Sequence, residues 1–355
     1  MMLLETVPTL AIVWYMLIVV LWLGFFFLEG FDFGVGMLLP ILGGNNDKKR
    51  RVLINTIGPV WDGNEVWLLT AGGAMFAAFP GWYASLFSAL YLPLLLMLVG
   101  LILRGVAFEY RAKRPEAKWR AMMDWFIIIG SFLPTLVLGV GFANFVIGLP
   151  NDGLLFNGTF FGLFGPFALL GGVMLLALFL THGATFITLK THGLIHDNAR
   201  KLVRTFGWVS VALVTGFVVL QNIFWPATSN FGDFTIAAWV AGILAIVALA
   251  ASVTMTGRDR EGWGFILGGV AILALFSGIF LRMYGNLGFA QDAGVAVTEH
   301  LNIITAASSP TTLTIMTWAA IIFVPIVIAY QSWSYWVFRR RIGTKNIPDD
   351  VEAVA

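Results

Sequence analysis

Residues 9–42 read TLAIVWYMLIVVLWLGFFFLEGFDFGVGMLLPIL, 34 residues whose only charged side chains are Glu29 and Asp32. A helix rises about 1.5 Å per residue, so roughly 20 apolar residues cross a hydrocarbon layer about 30 Å thick. This run is long enough to span. Eight further apolar runs follow, at 52–76, 83–108, 122–148, 160–189, 203–224, 234–254, 263–281 and 313–338. Over its 355 residues the chain is 59% hydrophobic and 11% charged, against about 25% charged in a soluble domain. The expected fold is all-α: a polytopic membrane protein of nine transmembrane helices, forming a single membrane domain over residues 1–355. No loop is long enough to fold as a soluble domain.

Loop charge tests that count. Of the 21 Lys and Arg residues, 20 lie in alternate connections, at 48–51, 104–120, 190–204, 258–260 and 339–345; the opposite set holds only Arg282. Positive charge stays on the cytoplasmic side, which places the N-terminus outside and the C-terminus inside. The basic residues are dispersed among short loops, so a net charge of +2 implies no nucleic-acid partner. The absence of cysteine excludes disulfides, thiolate metal sites and thiol chemistry in this chain. The N-terminus lacks the basic region and small-residue cleavage site of a signal peptide, so the first apolar run is expected to be retained. One outer connection is long, 282–312, and mildly acidic through Asp292 and Glu299. It reads as an ordinary connector, with capping or a partner contact as the functional alternative.

The acids inside the first two runs carry the chemistry. They lie in Leu28-Glu29-Gly30-Phe31-Asp32-Phe33-Gly34 and in Trp61-Asp62-Gly63-Asn64-Glu65-Val66-Trp67. Asp32 and Asp62 are equidistant from Asp47, at the centre of the connecting loop, and so are Glu29 and Glu65. In an antiparallel hairpin, equal offsets mean similar depth, roughly 15 Å below the cytoplasmic surface for the two aspartates. The i,i+3 spacing puts both acids of each helix on one face, allowing a track with two rungs. A charge at the centre of a membrane helix costs roughly 2.5–3.5 kcal/mol, so four acids in one hairpin face protein or a hydrated crevice and mark a proton or ion route. Gly58, Pro59 and Gly63 loosen the second helix, and Asn64 supplies an amide beside its acids. The plainer alternative is that the acids only hydrogen-bond to neighbouring helices or pair with Arg104. Arg104 itself ends the third span, where snorkelling to the interface is its ordinary reading. Asp124 opens the fourth span near the same surface, either as an entrance to the track or as an acid suited to a helix N-terminus.

The four histidines suggest no cofactor. His192, His196 and His300 fall in loops and read as solvated surface; His182 lies in the fifth run without a second histidine at its depth. No metal is assigned to the chain. Glu29-Gly30 and His182-Gly183 sit at comparable points on parallel helices, which would suit two four-helix bundles plus one extra helix. From these features alone, a proton- or ion-coupled transporter ranks level with an oxidase subunit, because both place carboxylates and broken helices near mid-membrane.

Longer motifs separate the two. The stretches Glu29-Gly30-Phe31-Asp32-Phe33-Gly34-Val35-Gly36-Met37-Leu38 and Trp61-Asp62-Gly63-Asn64-Glu65-Val66-Trp67-Leu68 strongly resemble subunit II of the cytochrome bd quinol oxidases. The likeness continues through Thr70-Ala71-Gly72-Gly73-Ala74, Trp125-Phe126-Ile127-Ile128-Ile129-Gly130-Ser131-Phe132 and Met316-Thr317-Trp318. The resemblance implies a multi-pass protein of the bacterial cytoplasmic membrane and a complex that oxidises quinol and reduces dioxygen to water. It implies a haem-free subunit pairing with subunit I, which carries two haem b and one haem d. Small accessory subunits are further candidate partners, and family members can also hold a quinone in a structural role. The family's membrane aspartates match Asp32, Asp62 and Asp124, with Glu29 beside the first. At Glu65 some members have Gln, which argues against a compulsory charge there. In the family this subunit helps conduct protons from the cytoplasm toward the oxygen site.

Overall fold

Away from water a backbone must satisfy its own N–H and C=O groups, and an apolar run does so as a helix. In the computed structural model, which describes residues 7–152, 156–290 and 300–348, the first run becomes α1 (Thr9–Leu38), extended by one π-helical turn at Leu39–Gly43. There follow α2 (Asp47–Ile57), α3 (Trp61–Ala78), α4 (Pro80–Ala89), α5 (Tyr91–Tyr110), α6 (Ala117–Ile147) and α7 (Pro166–Lys190). The rest are α8 (Leu194–Phe224), α9 (Thr235–Gly257), α10 (Glu261–Met283) and α11 (Pro310–Val337). A two-residue hairpin, Thr228–Ser229 against Gly232–Asp233, joins α8 to α9.

Among the described residues, eight helices are long and apolar enough to cross a membrane. The run at 52–76, expected as one span, is instead a broken pair, α2 and α3. Proline has no N–H to continue a helical ladder, and a turn at Gly58, Pro59 and Val60 interrupts the chain just before the acids. Helix α3 therefore restarts with its own phase. The run at 83–108 is also divided, between α4 and α5.

The basic connections gather at one end of the molecule. Arg111 meets Asp47 there, His196 meets Glu261, and the backbone N–H of Ile342 donates to Lys190 at 2.9 Å. The other connections meet at the opposite end, where the Leu149 N–H donates to Gly288 and the Ser308 N–H to Ala78. Asp292 and Glu299 lie outside the described residues. His300, expected on a solvated surface, is buried. The Asn302 side chain accepts from the N–H groups of Ile304 and Thr305, folding 300–306 into a turn that tucks His300, Leu301, Ile303 and Ala306 inward.

Helices α1, α6, α7 and α10 form the interior, with α3 and α5 packed on one side and α8 and α9 on the other. α1 and α7 touch backbone to backbone at Gly34 and Gly183. A Cβ on Gly183 would stand 2.5 Å from the carbonyl carbon of Gly34, a distance only glycine permits. α11 leans on α1 and α3 with Leu313 as its one buried residue.

Candidate functional site

Glu29 and Asp32 lie on one face of α1 and are fully buried. Glu29 Oε1 accepts from Arg104 Nη1 of α5 in an ion pair with both side chains closed to solvent. Arg104 does not snorkel, which corrects its expected position. Gly130 of α6 lets α5 approach closely: a Cβ there would be 2.4 Å from the Gly100 carbonyl and 2.6 Å from Arg104 Cβ. The guanidinium is flanked by the rings of Phe33 (4.7 Å) and Phe108 (5.2 Å). A buried carboxylate left without this partner would be strongly destabilising, so the inward turn of Arg104 follows from the burial of Glu29.

Asp32 Oδ2 accepts from Asn64 Nδ2 at 2.6 Å. On its other side, Asn64 Oδ1 accepts from the Tyr335 hydroxyl (2.7 Å) and from Gln331 Nε2 (3.2 Å), both on α11. Gln331 Oε1 in turn accepts from Trp67 Nε1 at 2.8 Å. Two donors on one oxygen fix the orientation of the Asn64 amide, so its NH₂ group must face Asp32. Glu65 is half-buried and within electrostatic reach of Glu29, Asp32 and Arg104.

The structure thus joins Glu29, Asp32, Arg104 and Asn64, with Glu65 at their edge. It does not join Asp62 to Asp32. Asp62 is exposed on the outward face of α3, with Val66 44% and Leu69 70% exposed. Equal sequence offsets estimate depth, but the turn at 58–60 changes the helix phase, and Asn64 takes the place opposite Asp32. Asp124 belongs to another cluster at the basic end. Its Oδ2 accepts from Arg50 Nη1 (2.7 Å) and its Oδ1 from Arg111 Nε (2.6 Å). Arg111 and Arg120 also bind Asp47, at 2.7 and 3.0 Å, tying the α1–α2 and α5–α6 connections together.

Four polar atoms of the buried cluster have no partner among the described residues: Glu29 Oε2, Asp32 Oδ1, and Arg104 Nε and Nη2. Buried polar atoms nearly always have a partner in protein or ordered water. The two carboxylate oxygens can take up a proton or accept from water, and the two guanidinium nitrogens can donate to water, so such an arrangement can hold and pass protons.

The surroundings of His182 do not fit a haem. Its Nε2 lies 3.1 Å from the Phe27 carbonyl, and its ring stacks on Phe265 at 4.9 Å with Phe27 and Phe31 at 5.7 and 5.9 Å. A macrocycle would need the space these rings fill. Among the described residues no three His, Cys, Asp or Glu side chains are placed to hold a metal ion. Gln331 and Tyr335 do not stand out in the sequence, although an i,i+4 polar pair in an apolar run signals an interhelical contact.

Residues 10–338 match the family model described as cytochrome bd terminal oxidase subunit II. The chain is 38% identical to cytochrome bd ubiquinol oxidase subunit 2 of Bacillus subtilis (strain 168), over 94% of this chain and 97% of that protein. It is 35% identical to cytochrome bd-I ubiquinol oxidase subunit 2 of Escherichia coli (strain K12), over 95% and 96%. A chain of the bd oxidase from Geobacillus thermodenitrificans superposes with a TM-score of 0.70 at 17% identity, covering 93% of this chain and 99% of that one, a likeness of fold.

Proposed function

The chain belongs to the cytochrome bd terminal oxidase subunit II family, and from that membership we propose that it is the haem-free subunit that pairs with subunit I and contributes a proton pathway. In this reading quinol oxidation, the two haem b and one haem d groups, and four-electron reduction of dioxygen to water belong to subunit I. The chain crosses the bacterial cytoplasmic membrane nine times, counting α2 and α3 together as one crossing. Its N-terminus is outside and its basic end cytoplasmic. The first described residues and Arg339 lie at opposite ends, which supports an odd number of crossings.

The observation that carries the proton pathway is the buried Glu29–Asp32–Arg104 cluster with its four unpartnered polar atoms. Asp62 stands beside exposed apolar side chains at membrane depth, and a carboxylate does not face lipid. The outward face of α3 is therefore the face that subunit I covers, and there Asp62 and Glu65 link the buried pair to the partner. Asp124, with both oxygens held by guanidinium groups, anchors the cytoplasmic end beside the path rather than carrying protons.

The test is oxygen-reducing turnover of the purified complex carrying Asp32→Asn or Asp62→Asn. The expected result is a fall on the order of a hundredfold, the scale of a positioned proton-transfer group, with the haem spectrum unchanged. Full turnover with intact proton uptake in both variants would sink the pathway. Loss of haem together with activity would assign the acids to assembly.

A further inference from the structure

A cavity of about 860 Å³ opens between α1, α7, α10 and α11, within the roughly 300–1,000 Å³ range of pockets that bury a ligand. Its walls are mostly apolar, with Phe27, Phe31, Phe186 and Phe265 on one side and Ile328 of α11 on the other. Its lining also includes three cations from the basic end, Lys190, Arg339 and Arg341. They are held in place. The Ile342 N–H donates to the Lys190 carbonyl at 2.9 Å, Thr191 and Ile342 form a parallel bridge, and Lys190 Nζ donates to the Phe338 carbonyl. Arg339 lies over the Trp336 ring at 4.3 Å. Among the described residues, the one carboxylate these cations contact is Glu261, 3.5 Å from Arg341 and shared with His196. Among the described residues, three cations against one shared carboxylate leave a positive excess at the mouth of an apolar cleft.

We propose that this cleft binds an anionic phospholipid, with its acyl chains along the aromatic wall and its phosphate at Lys190, Arg339 and Arg341. Basic pockets between membrane helices, and basic clusters immediately beyond a helix end, recognise such headgroups. The location gives the lipid a structural task. α11 is hydrogen-bonded to the bundle near its start, where Trp14 Nε1 donates to the Leu313 carbonyl and Thr317 Oγ1, and again at Gln331 and Tyr335. The lipid fills the gap beside its second half. A neutral quinone would suit the aromatic wall but would leave the cations unused, so charge selects the phospholipid.

The experiment uses the whole purified complex, washed in detergent and analysed by native mass spectrometry and lipid extraction. Two variants are compared with wild type: Lys190→Gln/Arg339→Gln/Arg341→Gln, which removes the charges, and Ser332→Trp, which fills the cleft and keeps them. Wild type should retain phosphatidylglycerol, and its thermal midpoint should rise on adding phosphatidylglycerol but not phosphatidylcholine. Both variants should lose that rise, with retention in the charge-removed variant weaker by roughly a hundredfold, the combined effect of three cations near an anionic headgroup. Phosphatidylglycerol retained at the wild-type level by either variant overturns the proposal. So does a retained quinone that Ser332→Trp expels and the charge-removed variant keeps.

Discussion

α1 and α7 meet at Gly34 and Gly183, yet the two sides of that contact are built from opposite chemistry. On the α1 side, Glu29 and Asp32 face Arg104 and Asn64, and four polar atoms remain without partners among the described residues. On the α7 side, the hydroxyls of Thr181, Thr185, Thr188 and Thr191 each donate to a carbonyl of their own helix at 2.7–2.9 Å. Thr181 also meets Ser210 of α8 at 2.8 Å, and His182 sits among aromatic rings. A hydroxyl satisfied within its own turn carries no net charge and is cheap to bury, whereas a carboxylate must be paired. Burial of polar groups is therefore common to both sides; only the α1 side combines burial, charge and incomplete pairing, and on that combination the proposed proton route rests.

The largest test of this contrast is Arg104→Met. Removing one partner of a buried ion pair costs about 3–5 kcal/mol, while replacing both is far milder. The thermal unfolding midpoint of the complex should fall sharply in the single variant, and the double variant Arg104→Met/Glu29→Gln should recover most of the loss without recovering turnover. A single variant as stable as wild type would reduce the α1 side to ordinary packing. Smaller is the effect of Tyr335→Phe, which removes one of the two donors on Asn64 at about 1 kcal/mol. Turnover should fall severalfold at constant haem content, because Gln331 still orients the amide; unchanged turnover would remove α11 from the site. The smallest effect is expected for His182→Leu, an apolar replacement in an aromatic setting, within about 1.5 kcal/mol. A lost haem band in the visible spectrum would contradict the assignment of the α7 side to packing.

Much of the site is legible in the amino-acid sequence. Acids at membrane depth in an i,i+3 pair point to Glu29 and Asp32, and the Gly58–Pro59 step points to a weakened helix. The face is what the sequence hides. Depth follows from counting residues, but facing depends on helix phase, and a three-residue turn resets phase without leaving a periodic trace in the sequence. Arg104 shows the same limit: its place near a span end permits snorkelling, and it turns inward because Glu29 is buried within its reach, which the close approach of α5 to α6 at Gly130 allows.

The sequence by itself determined the class of molecule, the helical runs, the clustering of basic loops at one end and the family. Hydropathy and charge act on each segment whatever its neighbours, so these properties can be read locally. The tertiary structure alone decided that Asn64 and not Asp62 meets Asp32, that Arg104 neutralises Glu29, and that Tyr335, 271 positions from Asn64, completes the site. Those outcomes depend on helix phase and on contacts between distant segments, which take effect only when the helices pack.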